Sequence, residues 1–79
     1  MSKAVAEEVQ LIISKVLGVN VGLDSTMNSV IEWDSMAQFI ILSQIEEEFS
    51  FQFNLEDLQN TLSVTGWIDA TEARLNKIN

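Results

Sequence analysis

The stretch "DSMAQFIILSQIEEEF", residues 34–49, decides how this chain is read. Projected at about 100° per residue, Leu42, Ile45 and Phe49 cluster on one face, with Ile41 beside them. That face is expected to meet the rest of the fold. Met36 and Ile40 fall on the opposite side, flanked by Phe39, and Ser43 and Glu47 continue that side toward the C-terminus. Residues 35–49 therefore predict a helix with two apolar stripes, where a peripheral helix needs one. Two readings of the second stripe stand. Either the segment before the helix folds over it, or Met36 and Ile40 stay accessible and dock partner proteins. Glu32, Glu46, Glu47 and Glu48 supply an acidic rim that would steer basic partners.

Working toward the N-terminus, residues 18–33, "GVNVGLDSTMNSVIEW", hold no sustained period. A connection this long in so small a domain is functional or pinned by its own apolar residues. Val21, Leu23, Met27, Val30 and Ile31 are the candidate pins. Residues 2–17 predict the first helix, because Val5, Val9, Ile12, Ile13 and Val16 recur at spacings of three and four. Ser2 is the candidate cap, Glu7 and Glu8 lie early and Lys15 late as the helix dipole favours, and Gly18 stops the helix.

Toward the C-terminus, "SFQFN", residues 50–54, breaks the helical period, with Phe51 and Phe53 alternating as in extended chain. Asn54, with Asp57 three residues on, suggests a capping box for a short third helix, and Leu55, Leu58 and Leu62 are expected to face inward. The last helix starts at Ser63 or Thr65 and runs to about residue 78. Trp67, Ile68, Thr71, Leu75 and Ile78 form its buried stripe, and Arg74 and Lys77 sit in its final turns. The expectation is an all-α fold: a small four-helix bundle with a long first loop and a short third helix. Residues 1–79 are expected to form one domain and to work as a monomer.

Composition narrows the function. The 79 residues contain no Cys and no His. Thiol nucleophiles, thiolate metal ligands and the side chain best suited to proton transfer near neutral pH are all missing. The formal charge of −8 disfavours nucleic acid and anionic membranes as partners and favours proteins with basic patches. No apolar run approaches the ~20 residues of a membrane span. The acids in "MSKAVAEEV" leave no export signal evident, so a soluble, cytoplasmic protein is expected. The loop spacing of a calcium-binding EF-hand fails throughout. Adjacent acids such as Glu46, Glu47 and Glu48 read as a solvated helix face, not as an acid–base pair. If the chain takes part in chemistry, its reactive group is imported.

Asp34-Ser35 alone has an ordinary explanation. Either oxygen can cap the following helix by accepting an orphan backbone N–H. Ser35 also ends the long loop, within reach of a modifying enzyme, and a phosphodiester there would be stabilised by the helix N-terminus. Cap and attachment point both remain open on the residues alone.

The whole pattern resembles the acyl carrier proteins and the phosphopantetheine-binding carrier domains generally. Their signature is Asp-Ser-Leu at the start of the second of four helices. This chain has Asp34-Ser35-Met36, then fifteen residues from Ser35 to a closing "IEEEF", the F-x-F-N break, and "LSVTGWIDA" entering the last helix. The likeness covers essentially the whole chain. It implies that Ser35, beside Asp34, carries 4′-phosphopantetheine installed from coenzyme A by a phosphopantetheinyl transferase, and that the arm's thiol holds acyl groups as thioesters. It implies that the second helix is the recognition surface, with Met36, Phe39, Ser43, Glu46 and Glu47 lining or rimming it beside Ile40, for acyl-loading and acyl-transferring enzymes with basic docking patches. It implies an acyl pocket between the second and third helices, with Leu42, Ile45, Phe53, Leu58 and Leu62 as candidate walls. Three residues depart from the housekeeping pattern. Met36 replaces Leu, Ile40 stands where an acid is usual, and Trp33 precedes the Asp-Ser pair. Met36 nearly conserves the volume of Leu, so docking is expected to survive; Ile40 and Trp33 point to a dedicated bacterial carrier for polysaccharide, lipid or secondary-metabolite synthesis. The competing class is an unmodified helical adaptor of the same fold, binding partners through the second helix.

Overall fold

The computed structural model describes residues 4–78, the side chain of Ile78 excepted. Three α-helices and one 3₁₀ turn follow in order: α1, Val5–Leu17; α2, Ser35–Phe49; the turn, Leu55–Leu58; and α3, Val64–Ile78. The described residues contain no strand, only an isolated bridge between Thr26 and Ser63. The all-α expectation is met, and the count of four helices is corrected to three plus a turn. Ser2 and the side chain of Ile78, expected as cap and core, lie outside the described residues.

Local chemistry sets the boundaries. Ala4 precedes α1 and offers no side-chain acceptor, while Gly18 ends the helix in the left-handed region at φ 74°, its N–H bonded to Ser14 O. Ser50 ends α2 the same way at φ 59°, with its N–H on Glu46 O. The Asp57 carboxylate accepts the Asn54 N–H at 2.8 Å and so starts the turn. Ser63 Oγ accepts the Gly66 N–H at 2.9 Å and caps α3.

The turn is only four residues long, so an α-helical face from residue 55 to 62 does not exist. Leu55 is 88% exposed and Leu62 is also exposed, contrary to the inward placement expected of both; Leu58 is half-buried.

α1 is the shared support, packing against both α2 and α3, whereas α2 and α3 meet each other much less. Val9, Ile13 and Leu17 from α1 join Ala37, Ile41 and Ile45 from α2 and Val64, Trp67 and Ile68 from α3 in one core. At about 1.5–3 kcal/mol for each large apolar side chain buried, these contacts carry the fold. An aromatic run links the extended segment to α3. Phe49 stacks on Phe51 at 6.2 Å, Phe51 meets Phe53 edge-on at 4.9 Å, and Phe53 meets Trp67 at 5.6 Å.

The 18–33 connection is pinned both by apolar residues, with Met27 and Val30 packed against the core as expected, and by polar bonds. Val21 and Trp33 are buried, but Leu23 is exposed and Ile31 is 95% exposed. Gln10 Nε2 donates to Val21 O at 2.6 Å, and the Val21 N–H donates to Ser14 Oγ at 3.1 Å. Backbone bonds from Met27 N–H to Leu62 O (2.8 Å) and from Val64 N–H to Ser25 O (3.1 Å) tie the loop to the entry of α3.

Candidate functional site

Asp34 resolves half of the question that Ser35 raises. Its Oδ1 accepts the Ala37 N–H at 2.9 Å, so Asp34 is the N-cap and Ser35 the first helical residue. Ser35 is exposed, and its hydroxyl is not spent on the cap. The N–H groups of the first helical residues have no partner within a helix, so an anion attached to the Ser35 oxygen would face the positive end of α2.

The outer stripe of α2 is uncovered. Met36 is 68%, Phe39 65% and Ile40 40% exposed, so the preceding loop does not fold over them. Ser43 and Glu47 are exposed on the same helix. Glu46 is partly buried, and its carboxylate accepts the Phe53 N–H at 2.9 Å, holding the extended segment against α2.

A groove of about 360 Å³ opens beside Ser35, between α2 and the segment after the 3₁₀ turn. Phe39, Leu42, Leu58 and Leu62 form its apolar sides, with Gln38, Thr61 and Trp67 also lining it. Of the residues named as candidate acyl walls, Leu42, Leu58 and Leu62 line this groove. Ile45 is fully buried in the core, and Phe53 packs against the ring of Trp67 without lining the groove. A second hollow of about 350 Å³, with Leu11 and Ile40 among its walls, lies between α1 and α2 and does not include Ser35.

Sequence reasoning missed Gln38. Its Oε1 accepts from Trp33 Nε1 at 2.7 Å and from Trp67 Nε1 at 3.3 Å, and its Nε2 donates to Thr61 O at 2.8 Å and to Thr61 Oγ1 at 3.3 Å. Thr61 Oγ1 in turn donates to Leu58 O at 3.0 Å. One amide thus joins the end of the long loop, the first turns of α2, the segment after the 3₁₀ turn and α3. A signal was available: Trp33 precedes the cap and Gln38 is the fourth helical residue, the two positions that a hydrophobic staple pairs. Here the pair is closed by a hydrogen bond.

A family model described as "Phosphopantetheine attachment site" matches residues 7–70. No curated protein and no solved structure gives a match.

Proposed function

This chain belongs to the phosphopantetheine attachment family, and on that premise we propose that it is an acyl carrier protein whose arm is borne by Ser35. The family attaches 4′-phosphopantetheine covalently; its carrier domains are modified by phosphopantetheinyl transferases and interact with biosynthetic enzymes. The observation that carries the reading is the division of labour at the start of α2. Asp34 makes the cap and leaves an exposed hydroxyl next to it.

The residues present fit the group. The phosphodiester would sit on the Ser35 oxygen at the positive end of a 15-residue helix. In the attachment step the Ser35 oxygen forms a bond to phosphorus as the bond to adenosine 3′,5′-bisphosphate breaks. The serine proton would leave to a base supplied with the transferase or to solvent. Once bound, the arm would supply the thiol that a Cys-free chain lacks, the group on which acyl cargo would be held. Leu42, Leu58 and Leu62 would shelter the carried group. Met36, Phe39 and Ile40 would dock the loading and transferring enzymes, with Ser43, Glu46 and Glu47 at the edge of that surface.

No helix among the described residues is long and apolar enough to cross a membrane. The reading places one carrier domain, residues 1–79, in the cytoplasm with its coenzyme A supply. Ile40 and Trp33 support a carrier dedicated to a specialised pathway.

Intact mass tests the proposal. Incubation with coenzyme A and a broad-specificity transferase should add ~340 Da, the mass of the phosphopantetheinyl group. Ser35→Ala should abolish the gain and leave the helical circular dichroism unchanged. No gain with several transferases, or a gain that persists in Ser35→Ala, would overturn it; the first result would leave the adaptor reading standing.

A further inference from the structure

The groove beside Ser35 is backed by a hydrogen-bonded wall. Trp67 both lines the groove and belongs to the core shared by α1, α2 and α3, so that core is the direction in which a carried chain would run deeper. Gln38 closes it. Its oxygen accepts two indole N–H groups and its nitrogen donates twice to Thr61. Its oxygen thus takes two donors, its full acceptor capacity. Trp33, Thr61 and Trp67 are each 3% exposed or less, and Ile41, Ile45 and Val64 are fully buried in the core. A chain longer than the groove must part this network and strand buried indole N–H groups that no water reaches, which is the costly way to lose a hydrogen bond.

We propose that Gln38 is a specificity-determining residue that confines the carried group to the outer groove and so selects short acyl chains. The proposal rests on the carrier reading and deepens it by naming the cargo class. The groove is about 360 Å³, and its buried lining residues, Thr61 and Trp67, are both bonded to Gln38.

The test loads the full chain with butyryl- or dodecanoyl-phosphopantetheine from the corresponding acyl-coenzyme A, checked by intact mass. The chain has two Trp, so a ¹⁵N spectrum contains two indole N–H signals, and both report on Gln38. In the unmutated chain both indole hydrogens should stay protected from solvent exchange with either cargo. Dodecanoyl should raise the melting temperature no further than butyryl does. In Gln38→Ala that plateau should vanish, with dodecanoyl the more stabilising cargo. Contacts in the unmutated chain from the dodecanoyl methyl to Ile41, Ile45 or Val64 would overturn the proposal, as would a plateau that survives Gln38→Ala. If Gln38→Ala does not fold, the contacts and the exchange rates in the unmutated chain decide alone. Failure of the carrier reading is seen earlier and separately, as absence of the mass gain.

Discussion

Gly66→Ala sets two effects of opposite sign against each other. Gly66 lies in the first turn of α3, where replacing Gly by Ala ordinarily stabilises a helix by about 1 kcal/mol. Here an ideal Cβ would stand 1.9 Å from the Asn60 carbonyl oxygen, and 3.0 Å from both the Asn60 carbonyl carbon and Ser63 Oγ. Comfortable carbon–oxygen contacts settle at about 3.3–3.6 Å, so the backbone at Asn60 must retreat by more than an ångström. No flexible side chain can absorb that movement. Overpacking of this kind costs about 1–3 kcal/mol, occasionally more. The displaced α3 entry also loosens the Ser63 cap on the Gly66 N–H, worth about 0.5–2 kcal/mol. The net expectation is destabilisation by about 3 kcal/mol, close to the ~3–5 kcal/mol that a single small core supplies. At about 1 kcal/mol per molar urea, the unfolding midpoint should fall by about 3 M, which leaves little or no folded baseline. Equilibrium urea titration followed by the fluorescence of the two buried tryptophans reads this directly. Gly22→Ala is the control. Its Cβ meets only Asp24 Oδ1, at 3.0 Å, a side chain that can swing away, so its midpoint should change little or rise. A Gly66→Ala midpoint equal to or above the unmutated one would refute the reasoning.

Ser50 gives the opposite sign. A residue with a Cβ sits there at φ 59°, so Ser50→Gly should stabilise by about 0.5–1 kcal/mol, read as a melting temperature a few degrees higher; a drop would show that the serine side chain matters more than the backbone angle. Asp34→Ala removes the acceptor for the Ala37 N–H and should cost about 1 kcal/mol in urea, with Asp34→Asn recovering most of it; equal loss in both would assign the effect to charge instead of the cap. The net charge of −8 is self-repelling, and the described ion pair, Lys77 with Asp57 at 3.7 Å, offsets little of it. Moderate salt or millimolar Mg²⁺ should therefore raise the melting temperature, and a curve indifferent to ionic strength would count against this account.

Features governed by local chemistry were legible in the sequence. The bounds of α2, the Gly18 stop and the Asn54–Asp57 pairing each depend on residues within one or two turns, and all three stand in the structure. Features that depend on distant partners were hidden. Gln38 reads as one polar residue on an amphipathic helix until Trp67, 29 positions away, is seen to donate to it. Gly66 looks like a weak spot in a helix until Asn60 is seen to press against it. Leu55 and Ile31 were expected inside because they are apolar, but neither belongs to an element long enough to aim it at the core. At the site, the family resemblance singled out Ser35 for the arm, but the residues alone left open which of the two oxygens caps the helix. Only the bond to Ala37 shows which one does.

The central position of α1 orders the molecule's motions. Because α2 and α3 are braced through α1, any opening that frees the backbone of Val9 or Ile13 must dismantle the whole core, so these amides should exchange with deuterium only by global unfolding. The 3₁₀ turn and the bridge at Thr26 can open while α1 stays intact. Exchange should therefore be graded, slowest in the inner helix and faster at the bridge and the turn.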